Sequence, residues 1–390
     1  MTFNLQYPST EYLRRAARRR IPSFAMDYLE GGCNEECNLR LNRSDLDRVQ
    51  LMPRYLGDAV TPATTVTVMG NTYQQPLGIA PIGLQGLLWP GAPEMLARAA
   101  RDHGVPFVLS TVSTADLEPI AELTAGQAWF QLYYPVDETI RRDLVKRADA
   151  AGYPVLVVLA DVPVFGYRAK EMRNGLTLPP KLHSRAFLQI LQRPRWAWAT
   201  LRHGVPQFAV LRRYLPANPS LEHLGAFMNE TFDGRLTRDR LAELRDLWPG
   251  KLVVKGLVNE ADMETALALG VDGVVVSNHG GRQLDAGEST IQSLIRLAPA
   301  YGSRVALMMD GGIRSGVDVA RALACGAAMV FMGRPWVYGV GALGDRGGHQ
   351  VAEMFQRQLM QVMSQVGAAC PADIAQHLIK PTPAHERQGI

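Results

Sequence analysis

Cysteine is scarce. The four in this chain (Cys33, Cys37, Cys325, Cys370) form neither a CxxC pair nor a Cys/His spacing suited to a metal. No disulfide framework is expected, and reduced thiols suit a cytoplasmic protein. No run of 18 apolar residues occurs, so no spanning helix is expected. The start, MTFNLQYPSTEYLRRAARRR, has charge but no apolar stretch of the length a secretory signal needs. A net charge of +4 is too small to point to nucleic acid. One absence is local: from Met172 to Leu221 there is no Asp or Glu. What the chain has is length, 390 residues with 47 % apolar, enough for a full core without staples.

Eight β-rich runs punctuate it, at 77–81, 107–111, 129–133, 155–161, 251–255, 273–277, 305–310 and 329–333. Each ends in Gly, Pro, a polar or a charged residue. Helix-period segments follow several of them, at 94–103, 138–151, 260–269 and 315–325. The alternation predicts a (β/α)₈ TIM barrel as one domain. A doubly wound sheet normally opens with GxGxxG after its first strand, and none follows here. Residues 1–70 are expected to form a helical and extended cap over one end, 71–380 the barrel, and 171–235 an insertion after the fourth strand. An insertion of that length is functional or mobile.

Barrel enzymes collect reactive groups at the C-terminal strand ends. Here the third strand ends Gln131-Leu132-Tyr133, and the fourth at Asp161 with Arg168 just beyond. The fifth ends Val254-Lys255-Gly256. The sixth, Gly273-Val274-Val275-Val276, runs into Ser277-Asn278-His279-Gly280-Gly281-Arg282-Gln283-Leu284-Asp285. A histidine three residues before an arginine offers a base beside a carboxylate-gripping fork. Taken alone, this is also how a strand followed by a polar turn would read. The seventh strand ends Asp310-Gly311-Gly312-Ile313-Arg314 and the eighth Gly333-Arg334, a pattern suited to a phosphate.

These residues resemble the FMN-dependent 2-hydroxy acid oxidase/dehydrogenase family from about Tyr12 to Leu378. The stretch SNHGGRQLD carries the likeness. It is joined by DYLEGG at 27–32, APIG at 80–83, FQLY at 130–133, VKG at 254–256, DGG at 310–312 and GRP at 333–335. The resemblance implies FMN as cofactor and His279 as catalytic base with Asp161 as its carboxylate partner. It implies Tyr133 beside the substrate hydroxyl and Lys255 beside the flavin. Tyr28, Arg168 and Arg282 would grip the substrate carboxylate. Pro81, Ile82, Gly83, Ser110, Gln131 and Ser277 would meet the isoalloxazine. Asp310, Gly312, Arg314, Gly333 and Arg334 would form the ribityl-phosphate side, and a homotetramer is implied. Three positions depart from the family pattern. Val112 stands where oxidases often carry Trp, and Gly83 where short-chain oxidases carry Ala. Leu159 replaces a common Thr and removes one hydrogen bond to the flavin. The first two predict an open pocket for a bulky side chain.

The acid-free stretch interleaves Lys181, Arg185, Arg193, Arg195, Arg202, Arg212 and Arg213 with Phe187, Leu188, Trp196, Trp198 and Phe208. Such a pattern suits an anionic membrane surface. An ordered lid over the barrel is the other reading. Mandelate and lactate dehydrogenase relatives carry a comparable membrane-associated insertion. The expectation is therefore a peripheral enzyme on the cytoplasmic side of the membrane, passing electrons from a mandelate- or lactate-type (S)-2-hydroxy acid to a quinone or other acceptor. An O₂-dependent oxidase producing hydrogen peroxide, soluble in the cytoplasm, is the alternative.

Overall fold

The computed structural model describes residues 3–57, 60–176, 184–215, 227, 231–232 and 235–379. Short Val-rich strands, buried on both faces as parallel barrel strands are, build the centre. They are β1 (Leu77–Ile79), β2 (Val108–Ser110), β3 (Trp129–Leu132), β4 (Val155–Leu159), β5 (Lys251–Leu257), β6 (Gly273–Val276), β7 (Ala306–Met309) and β8 (Met329–Met332). Their order is β1-β8-β7-β6-β5-β4-β3-β2, all parallel. A parallel bridge between Ile79 and Phe107 closes the ring. The TIM barrel is thus present, with every predicted strand in place.

Alternate strand residues divide the core. Val155, Val157, Val253, Val275, Trp129, Met308 and Phe331 pack together in one cluster. Leu156, Val158, Leu252, Val254 and Val276 belong to the other, shared with the helices. Side chains cap the starts of several helices. Asp137 accepts from Ile140 N, Thr237 from Arg240 N, and Asn259 from Asp262 N. Each satisfies one donor that a first helical turn leaves open.

The first 70 residues do not cover one end only. Helix Cys37–Asp47 lies at the C-terminal rim, where Asn42 and Asn278 exchange amide hydrogen bonds of 2.9 and 2.8 Å. A hairpin, Val66–Val68 with Asn71–Tyr73, joins the cluster of Trp129 and Phe331. Tyr73 Oη there accepts from Trp129 Nε1 at 3.1 Å.

The insertion contains helices Ser184–Leu191 and Pro194–His203. Residues 181–183 of the expected membrane segment lie outside the described residues. Among the described residues no helix is long and apolar enough to cross a membrane.

Candidate active site

Four strand ends converge on one charged network. The β4–β5 register pairs Leu159 with Lys255 and so brings the Lys255 ammonium near Asp161. Gly256, at φ +104°, makes the approach close: a Cβ there would lie 2.5 Å from that of Asp161. Lys255 Nζ sits 3.2 Å from Asp310 Oδ2 and 3.8 Å from Asp161 Oδ2. It donates to Ser277 Oγ at 2.9 Å. Ser277 Oγ donates to Asp310 at 2.6 Å and also accepts the His279 N–H at 3.0 Å. His279 stands in the left-handed region, φ 57°. This turn, continued by Gly280 and Gly281, brings the ring to Asp161, with Nδ1 3.1 Å from Oδ1.

Charge sets the protonation of this group. Burial pushes the Asp161 carboxyl up, but Lys255 and His279 outweigh it and hold it below its ordinary value. Burial pushes Lys255 down, and Asp310 and Asp161 outweigh that and keep it charged. For His279 burial prevails over Asp161, with Lys255 and Arg168 adding to it, so its pKa falls below 6.5. A neutral imidazole backed by a carboxylate can accept a proton at neutral pH. Burial raises the Tyr133 phenol to about 12 and keeps it protonated.

Beside the histidine lie two arginines. Arg282 donates through Nη1 to Tyr28 O at 2.8 Å and Gly31 O at 2.9 Å. Its Nη2 donates to Glu171 Oε1. A guanidinium has five N–H groups, so two remain for a ligand. Its carbon lies 5.1 Å over the Tyr28 ring. Arg168 contacts Glu171 at 3.5 Å and Gln283 at 3.4 Å, and its buried Nε has no partner. Glu171, which shares both arginines, was not legible as a site residue. Its only sequence signal is an acid three residues after Arg168. Gln283 was missed too. It bonds Asp161 O and Val164 O at 2.9 Å and so straps the β4 loop to the β6 loop.

Two more arginines on the same rim suit an anion. Arg334 donates to the carbonyls of Leu29, Gly280 and Gly31 at 2.8 to 3.1 Å. Burial, with Arg314 and Arg282 nearby, lowers it to about 9. Burial lowers Arg314 too. Among the described residues neither guanidinium has a carboxylate at ion-pair distance. Gly312, at φ +81°, packs against Asn42 O, which a Cβ would meet at 2.4 Å. Between the two ends, Ser110 donates to Gln131 Oε1 at 2.8 Å, which leaves the buried Gln131 Nε2 without a partner.

A cavity of about 1280 Å³ joins these features. Tyr28, Pro81, Ile82, Gly83, Ser110, Gln131, Tyr133, Arg168, Lys255, His279, Arg282, Asp310, Gly312, Arg314, Gly333 and Arg334 all border it. Asp161 and Ser277 do not. Asp161 stands behind His279. The Ser277 hydroxyl, expected on the isoalloxazine, has its donor and both acceptor sites filled by Asp310, Lys255 and His279 N. A Cβ on Gly83 would fall 2.8 Å from Val112 Cγ2, so Val112 fills part of the space the glycine leaves.

On one rim, a closed parallel barrel thus gathers a carboxylate-backed histidine, two arginines with spare donors and two arginines without a carboxylate partner, a set suited to a small acid beside an anionic cofactor. The chain belongs to the FMN-dependent dehydrogenase family, which it matches over residues 17–381. It is 37 % identical to the (S)-mandelate dehydrogenase of Pseudomonas putida over 93 % of this chain and 91 % of that one. It is 38 % identical to an L-lactate dehydrogenase of Caulobacter sp. (strain K31), over 92 % and 94 %. The crystal structure of the monotopic membrane protein (S)-mandelate dehydrogenase superposes with a TM-score of 0.90, at 35 % identity over 96 % of this chain and 99 % of that one. A mandelate oxidase structure does so at 0.82, with 33 % identity over 96 % and 98 %. The cofactor is FMN, and the residues fit it. The unpaired Gln131 amide suits a ring carbonyl, and the uncompensated Arg314 and Arg334 suit the phosphate.

Proposed function

We propose that this enzyme oxidises an (S)-2-hydroxy acid of the mandelate or lactate type to the 2-oxo acid. The observation that carries the reading is a neutral-biased His279 backed by Asp161, in one cavity with the spare donors of Arg282 and Arg168. FMN supplies the two-electron acceptor. Arg282, Arg168 and Tyr28 hold the substrate carboxylate. His279 accepts a proton from the substrate, and Asp161 stabilises the imidazolium so formed. Tyr133, a protonated phenol, donates toward the substrate oxygen. Lys255, locked by Asp310 and Ser277, would set a fixed positive charge beside the bound flavin and so favour its uptake of electrons. Gln131, Ser110 and the backbone at 81–83 hold the ring; Gly312, Arg314, Gly333 and Arg334 hold the phosphate.

The electrons go to a quinone or another membrane-held acceptor, and the enzyme sits peripherally on the cytoplasmic side as a homotetramer. Support comes from the insertion, where Phe187, Leu188, Leu191 and Trp198 are all more than 60 % exposed. The alternative, an O₂-using oxidase, draws on the mandelate oxidase structures among the neighbours. Reoxidation of the substrate-reduced enzyme separates them. A dehydrogenase is reoxidised much faster by a quinone analogue than by air; rapid reoxidation by air with release of peroxide refutes the membrane-acceptor reading.

A further inference from the structure

The cavity does not end at the polar grip. Its walls continue to Phe24, Leu87, Trp196, Leu201 and Phe208, none of which has a part in the chemistry above. On helix Ser23–Glu30, Phe24 lies one turn from Tyr28 and shares its face. Tyr28 Oη donates to Gly83 O at 3.2 Å, beside the grip. Phe24 meets Trp196 of the insertion edge-on, with centroids 6.0 Å apart. Trp196 Nε1 donates to Leu87 O at 3.1 Å. Ala209 N donates to Ser113 O at 3.0 Å, one residue from Val112. With a further bond from Phe24 N to Gln189 Oε1 at 2.8 Å, the insertion is stitched to the rim at several places and forms a wall of the cavity. At the outer end, Leu201 and Val205 border the cavity while 75 % and 79 % exposed, so it opens among exposed apolar side chains.

From this we infer that the insertion-lined arm is a binding site for the apolar side chain of the substrate, which enters at the Leu201/Val205 mouth. The substrate is then a 2-hydroxy acid with a long aliphatic or arylalkyl chain. The inference rests on the reading of the site as a 2-hydroxy acid dehydrogenase. A carboxylate fixed at Arg282 and Arg168 anchors the molecule, and the arm is the apolar way out from that anchor. An amphiphile of this kind matches the part of the cavity that FMN does not take, polar at the grip and apolar along the arm.

The test is the rate of anaerobic flavin bleaching by unbranched (S)-2-hydroxy acids from three to ten carbons, using the purified flavoprotein. Apparent kcat/KM should rise about fourfold per methylene, the equivalent of ~0.8 kcal/mol, until the arm is filled. Ala197, also on the cavity wall, is replaced in Ala197→Trp to block the arm. Val205→Glu, at an exposed position, puts charge at the mouth. Both should retain FMN and flatten the series, read as the ratio of the eight-carbon to the three-carbon acid within each protein. A flat or falling series in the wild type overturns the inference. So does an unchanged ratio in both variants. If neither the series nor (S)-mandelate bleaches the flavin, the dehydrogenase reading itself falls, and this inference with it; if (S)-mandelate alone does, only this inference falls.

Discussion

Replacing Arg314 by methionine should weaken FMN without weakening riboflavin. Among the described residues the Arg314 guanidinium makes one hydrogen bond, at 2.7 Å to the adjacent Ile313 carbonyl, so little of the fold depends on it. Burial disfavours its charge, and so does Arg43; they outweigh Tyr338, Asp318 and Glu30. An arginine held at that cost has its counter-ion in the ligand. A hydrogen bond to a charged group is worth about 1.5–3 kcal/mol, which corresponds to a rise of about 10- to 150-fold in Kd. The assay is fluorescence titration of the apoprotein with FMN and, separately, with riboflavin, which has the ring and ribityl chain but no phosphate. Arg314→Met should lose that factor for FMN alone. Its apoprotein should melt no lower than the wild type, because a disfavoured charge has gone. Equal losses for both flavins would refute the assignment of the phosphate to this end of the cavity.

His279→Gln should keep FMN and lose about 10²- to 10⁴-fold in turnover, the usual contribution of a general base; near-wild-type kcat would remove it from the mechanism. The pH profile follows from the direction of its shift. With a pKa below 6.5, the imidazole is neutral and active above that pH, so kcat/KM should stay flat near neutrality and fall only on the acid side of pH 6.5. A limb centred well above pH 7 would contradict the burial argument. For the insertion, flotation with anionic liposomes at low salt should carry the protein upward, each basic residue near the surface adding roughly 1 kcal/mol. High salt should release only part of it, since apolar contacts are not screened. Protein that stays at the bottom at low salt makes the insertion a lid.

The barrel was legible because its signal is local. Runs such as Val155–Leu159 and Gly273–Val276 are continuous, apolar and rich in valine, with Pro154 before the first and Ser277 after the second, which suffices to mark buried parallel strands. Residues that end those strands could be picked out by position, Tyr28 on helix Ser23–Glu30 only through the resemblance, and the structure brings most of them to one cavity. What escaped needs three dimensions. Glu171 has no strand end to mark it; its position between Arg168 and Arg282 appears only when the β4 and β6 loops meet. Ser277 reads like its neighbours in sequence, yet the Lys255–Asp310 pair draws its hydroxyl behind the cavity wall. The hairpin at 66–73 was lost because its strands are three residues each, too short for a periodicity to register.

The proposed function requires that one rim hold FMN and pass it electrons from an (S)-2-hydroxy acid. The decisive measurement is anaerobic mixing of the purified yellow protein with (S)-mandelate, followed at the flavin absorbance. Full bleaching within the enzyme's turnover time, one 2-oxo acid formed per flavin, and no bleaching with (R)-mandelate are expected. A flavin that stays oxidised with (S)-mandelate, (S)-lactate and longer (S)-2-hydroxy acids alike would contradict it.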